Sequence, residues 1–159
     1  MKNRVAALVF SALCLVIAVA FVGCANNGVS SPQAQAQAEN RAYMSQVNQT
    51  METLNEKLDL FVDAVSRGDA IGMKTQVDRA MESLTALENL EAPEALKEVQ
   101  DSYKSGCENL KLALKDYVNL VTTTEDFTAI DAAALETIQS EYDAGVKALK
   151  EADEKAASL

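Results

Sequence analysis

Three observations point to an all-α fold, an antiparallel four-helix bundle with up-down-up-down order. Apolar residues recur at alternating three- and four-residue steps in four separate blocks. Between the blocks stand short segments rich in capping residues. No stretch of useful length alternates apolar and polar residues as a half-buried strand does. Short connections between amphipathic helices make neighbours antiparallel.

The first block is Met44, Val47, Met51, Leu54, Leu58, Phe61 and Val65, an a/d seam kept over three heptads. It predicts a helix from about Asn40 to Arg67. Gly68 follows as a left-handed C′ residue, and Asp69 is a suitable N-cap for the next helix. The second helix is expected over Ala70 to Asn89, with Met73, Val77, Ala80, Leu84 and Leu87 on its seam and Met81 beside it. Gly72 in its first turn weakens it by about 1 kcal/mol relative to Ala.

Pro93 suits the first turn of a third helix, where a missing N–H costs nothing. That helix is expected from Pro93 to Val121, on the seam Leu96, Val99, Tyr103, Gly106, Leu110, Ala113, Tyr117 and Leu120. Phe61 is a candidate to fill the space beside Gly106. The run Thr122 to Asp126 breaks the pattern. Thr128 with Asp131 three residues on has the form of a capping box, so the fourth helix is expected from Thr128 to Ala156. Its seam is Leu135, Ile138, Tyr142, Gly145, Leu149 and Ala152. Glu151, Asp153 and Glu154 lie at the negative end of its dipole, which predicts fraying.

The chain opens differently. Lys2 and Arg4 precede the 18-residue apolar run Val5 to Val22, and Phe21-Val22-Gly23-Cys24 closes it. A basic start, an apolar core and a small-residue cleavage site mark an export signal. Residues 1–24 resemble the signal peptide of a bacterial lipoprotein, whose lipobox ends in Gly or Ala followed by Cys. Phe21 and Val22 depart from its commonest residues. The resemblance implies cleavage between Gly23 and Cys24, a diacylglycerol on the Cys24 thiol, further acylation such as palmitate, and a place on the extracytoplasmic face of a cell membrane. An uncleaved anchor is the alternative, because 18 apolar residues approach the length of a membrane span. The expected domains are a signal peptide over 1–23, a lipidated Cys and flexible tether over 24–40, and the bundle over 41–159. The segment Ala25 to Asn40 is Asn, Gly, Ser, Pro, Gln and Ala with no apolar period, and reads as a tether into whose Gln-Ala end the following helix can fray.

The whole chain carries a net charge of −10, with 14 basic and 24 acidic residues. Loss of residues 1–23 removes Lys2 and Arg4 and makes the mature charge −12. Such an acidic chain is unsuited to nucleic acid or to anionic headgroups. Of three cysteines, Cys14 lies in the signal and Cys24 is the acylation site, so Cys107 can form no internal disulfide. The chain has no His, which removes His-based triads, His-ligated zinc and Glu-x-x-His di-iron sites.

Several residues remain as candidates. Gly106 and Gly145, with Tyr103 and Tyr142, could line a pocket near the bundle centre. Tyr43 and Tyr117 sit at or beside seams and suit boundary packing. Met44, Met51, Met73 and Met81 carry thioethers that suit Cu(I), but read more simply as adaptable core. Glu88, Glu91, Glu94, Glu98 and Asp101 could attract a hard cation, but without a Ca²⁺ loop they read as a solvated face. Cys107 lacks an activating base and reads as a structural thiol. With no nucleophile-base pair, phosphate loop or cofactor motif, the expectation is a non-enzymatic helical interaction or scaffold module at the cell envelope. It would have an envelope protein as partner and no cofactor. A small-molecule or lipid-binding bundle and a weak cation sensor are the alternatives.

Overall fold

The computed structural model describes residues 31–124 and 130–158, which form four α-helices and a single 3-10 turn, with no strand among them. The helices are α1 (Pro32–Arg67), α2 (Ala70–Glu88), α3 (Lys97–Thr123) and α4 (Ala132–Ala157). Gly23, Cys24 and Thr128 lie outside the described residues. No helix among the described residues is long and apolar enough to cross a membrane.

Helix α1 starts eight residues before the expected Asn40. The Ser31 hydroxyl accepts from the Ala34 N–H at 3.2 Å, and Pro32 occupies the first helical position. Those two residues supply the start signal, and the Gln and Ala that follow are good helix formers. Residues 32–39 are exposed throughout, which is why they show no apolar period. The tether expected over 24–40 is therefore helical from Pro32 onward.

At its other end α1 closes as a Schellman motif. Gly68 has φ 65° and donates to the Val65 carbonyl at 3.1 Å, while the Asp69 N–H reaches the Ala64 carbonyl at 2.9 Å. The Asp69 carboxylate then caps α2 through the Gly72 N–H at 2.9 Å. A Cβ on Gly72 would stand 2.3 Å from that carboxylate, so the glycine leaves room for the cap.

The α2–α3 connection turns more gradually. Leu96 is 2 % exposed and anchors the 3-10 turn Glu94–Leu96, with its N–H on the Pro93 carbonyl at 2.8 Å. Pro93 precedes that turn, and α3 begins at Lys97 rather than at Pro93. The Gln100 side-chain amide also donates to the Leu90 carbonyl. The other end of α3 runs past Val121. The Thr122 hydroxyl donates to the Val118 carbonyl, Thr123 to Asn119 and Thr124 to Leu120, each at 2.7 Å. Hydroxyls turned back onto the helix let this β-branched run continue it. Helix α4 starts at Ala132, capped by Asp131, whose carboxylate accepts from the Ala133 N–H at 3.0 Å. Asp131 is thus the N-cap itself, not the third residue of a box led by Thr128.

The seams meet as one core. Every seam residue named above is buried except Leu120 and Leu135, which are partly buried and packed against it. Phe61, Leu54, Met73, Leu84, Tyr103 and Leu110 are among the largest fully buried side chains. Phe61 of α1 meets Tyr117 of α3 edge to face, with ring centroids 5.6 Å apart and planes at 82°. Contacts between α3 and α4 pair the start of one with the end of the other, as Tyr103 with Asp153 and Ser102 with Lys155. These two helices are antiparallel, as are α1 and α2 across the Gly68 turn.

Candidate functional site

Gly106 of α3 and Gly145 of α4 face each other across a tight α3–α4 contact. A Cβ built on Gly106 would stand 2.7 Å from Leu149 Cδ2 and 3.0 Å from the Gly145 carbonyl oxygen. One on Gly145 would stand 2.7 Å from Leu110 Cγ and 3.0 Å from the Gly106 carbonyl oxygen. The space beside each glycine is thus taken by a leucine of the opposite helix, and the pocket expected from Gly106, Tyr103, Tyr142 and Gly145 does not open there. Leu149, not Phe61, fills the space at Gly106. Tyr103 and Tyr142 are also apart. Tyr142 lies eleven positions before Asp153, the partner of Tyr103, or about 16 Å along α4.

The end of the bundle that carries the start of α1 gathers a different group. Tyr103 and Cys107, one turn apart on α3, are both 0 % exposed. The Tyr103 hydroxyl donates to Asp153 Oδ1 of α4. Tyr43 of α1, 3 % exposed, adjoins both Tyr103 and Cys107 electrostatically. The Tyr43 hydroxyl and Asp153 Oδ2 are buried without a hydrogen-bond partner. At the edge of this group, Lys111 of α3 pairs with Glu88 of α2 at 2.5 Å, and Lys155 donates to the Ser102 hydroxyl at 2.9 Å.

Burial controls the protonation of these groups, because it penalises their charged forms. It pushes the Cys107 thiol up to about 12, with Glu88 adding to the effect and Lys111 opposing it. It pushes Tyr43 up to about 12, helped by Cys107. Tyr103 is raised by burial and then by its bond to Asp153. Asp153 is raised by burial, and its bond from Tyr103 opposes the shift. Elsewhere, Tyr142 rises to about 12 through burial and the nearby Asp143 and Asp59.

A thiol raised from 9.0 to about 12 carries on the order of a thousandfold less thiolate near neutrality, and thiolate is the reactive form. Cys107 in the folded chain is therefore expected to resist a maleimide near neutral pH and to label rapidly after unfolding in guanidinium. Peptide mapping by mass spectrometry checks this. Equal rates in both states would remove the buried thiol.

The remaining candidates separate. Met44, Met51 and Met73 are buried in the core, and Met81 packs against it. Glu91, Glu94, Glu98 and Asp101 face solvent, with Glu94 paired to Lys97, while Glu88 turns to Lys111. Among the described residues no group of three or more acidic, Cys or His side chains is placed to hold a metal ion. A shallow groove between α1 and α2 is lined by Gln49, Thr50, Thr53, Glu82, Ser83 and Ala86. The hydroxyls of Thr50, Thr53 and Ser83 already donate to carbonyls of their own helices.

Asp153 is the member of the buried group that sequence reasoning missed. It stood there only as one of three acids at the end of α4. The signal available was its position four residues after Leu149 and next to Ala152, both on the seam. No protein-family model matches this chain, and no curated protein or solved structure matches it either.

Proposed function

We propose that this chain is an exported lipoprotein, held on the extracytoplasmic face of a cell membrane by acylated Cys24. Its bundle serves as a non-enzymatic contact module for another envelope protein. The observation that carries the reading is the run from Lys2 and Arg4 through Val5–Val22 to Gly23 and Cys24. Two acyl chains on one Cys suffice for stable anchoring. The start of α1 at Pro32, eight positions after Cys24, fits a bundle carried close to its anchor. The Cys107 thiol, buried and held protonated, argues against its use as a nucleophile. Leu60, Val62 and Leu112 are partly open to solvent, and Ile71 is 82 % exposed; these apolar side chains are points where a partner could bear.

The test is metabolic labelling with a fatty acid, together with a photo-crosslinker at Ile71, in cells making the full chain or its Cys24→Ser variant. The full chain is expected to take the label, to fractionate with membranes and to capture one dominant protein. The variant is expected to lose the label and the capture. Unlabelled wild type that remains in the membrane would favour the uncleaved anchor instead. A labelled wild type that captures nothing specific would overturn the contact role while leaving the anchor in place.

A further inference from the structure

We infer that the first two turns of α1, residues 32–39, are a stiff spacer between anchor and bundle, and that the bundle stands on the membrane with the start of α1 inward and the Gly68 turn outward. The inference rests on the acylation of Cys24 proposed above.

The spacer is a stretch of helix that buries nothing. All eight of its residues are exposed, so no other helix covers a face of it. An unpacked helix this short is ordinarily marginal in water, and this one carries its own supports. The Ser31 hydroxyl caps it through the Ala34 N–H, and Pro32 sets the first helical φ. One turn on, the Gln35 side-chain amide donates to Glu39 Oε1 at 3.1 Å. From Asn40 onward the same helix runs unbroken into the core, so residues 32–39 prolong the axis of α1 rather than hinge on it.

The orientation follows from lengths. Eight residue steps join Cys24 to Pro32, and a fully extended chain covers at most about 29 Å in that number. Helix α1 has 36 residues and is about 54 Å long. An upright bundle with its Gly68 end inward would hold Pro32 beyond the reach of the anchor. The alternative is a bundle lying on its side, which the mature net charge of −12 opposes. Glu52, Glu56, Asp59 and Asp63 are exposed along α1, and Glu136 and Asp143 along α4. Asp59 and Asp143 both adjoin Tyr142, so these two helices share an acidic side. Anionic headgroups repel it over a Debye length of about 8 Å, and the spacer rises about 12 Å. Ile71, in the first turn of α2, then lies about 50 Å from Pro32 along the bundle. A partner that bears on it meets the protein well away from the bilayer.

The test is energy transfer from a dye on one engineered Cys to acceptor-labelled lipid, with the full acylated chain in vesicles of phosphatidylethanolamine and phosphatidylglycerol. Acylation blocks Cys24, Cys14 leaves with the signal, and Cys107 is buried. The dye therefore goes to Ala95→Cys, in the 3-10 turn beside the start of α3, or to Ile71→Cys; both positions are exposed. Transfer is expected to be several times stronger from Ala95→Cys. Inserting a second copy of residues 33–39 adds about 10 Å of rise and should lower transfer from Ala95→Cys about twofold. Replacing residues 33–39 with Gly and Ser should bring the two positions together. Equal transfer from both positions in the unaltered spacer would mean a bundle lying flat and would overturn the inference. So would an insertion or a Gly-Ser replacement that changes nothing. A chain that takes no acyl label and does not float with the vesicles would instead overturn the anchor, and the spacer with it.

Discussion

Replacing Gly106 with Val is expected to lower stability by about 3 kcal/mol, the upper part of the range for overpacking a tight core. For a chain of this size that is a fall of about 10 °C in the thermal midpoint. The cause is the α3–α4 crossing. A Cβ at this position would meet Leu149 Cδ2 at 2.7 Å, Leu149 Cγ at 2.9 Å and the Gly145 carbonyl oxygen at 3.0 Å. The leucine tip can rotate away, but the carbonyl belongs to the backbone of α4 and moves only with the helix. Val adds two methyl groups beyond the Cβ and is stiff about χ1 in a helix, so the helices must part.

Gly106→Ala separates the two terms. Ala gains up to about 1 kcal/mol of helix propensity over Gly, so its net cost should be about 1 kcal/mol, well below that of Val. Leu149→Ala removes the nearest side chain. Alone it should cost about 2–5 kcal/mol. Combined with Gly106→Ala it should cost less than the sum, because the new methyl group occupies part of the vacated space. Denaturant melts of the four variants supply the cycle. A Gly106→Val chain that melts at the wild-type temperature would mean that α3 and α4 do not cross there.

The fold was largely legible because its information is periodic. The 3-4 seams of all four helices fall on buried positions, only Leu120 and Leu135 being partly open, and Gly68-Asp69 announced the first turn through one residue suited to positive φ and one suited to capping. What escaped, or showed only in part, was whatever lacks a period. Residues 32–39 are exposed, so nothing about them repeats; their helix rests on the Ser31 cap, Pro32 and local propensity. The run Thr122 to Thr124 looked like a break because side chains that cap can also bond backward, and which they do depends on where the helix is going.

The buried end of the bundle was only half legible. Tyr103 stood out as a polar-tipped residue on a seam. Its partner Asp153 comes from fifty residues away, and the pairing depends on the register of α3 against α4. That register is set by the glycine crossing, which no single helix reveals. The same reasoning explains why Gly106 and Gly145 suggested a cavity. A missing side chain is visible in the sequence, whereas the leucine that fills its place is visible only once the helices are docked.

The core offers the second large effect. Phe61→Ala is expected to cost about 3–5 kcal/mol, a substantial share of the 5–15 kcal/mol by which a domain is ordinarily stable. Phe61 is fully buried, and its ring is set edge-on to Tyr117, so truncation removes both apolar burial and a directed aromatic contact. Phe61→Leu restores most of the volume and should cost about 1–2 kcal/mol, part of it the ring interaction itself. A cycle of Phe61→Leu with Tyr117→Leu isolates that contribution. Its coupling should be about 0.5–1.5 kcal/mol, accompanied by loss of the near-ultraviolet dichroism that a fixed Tyr117 ring gives. Additive single effects would mean that α1 and α3 are held together by apolar burial alone, with the two rings not locked against each other.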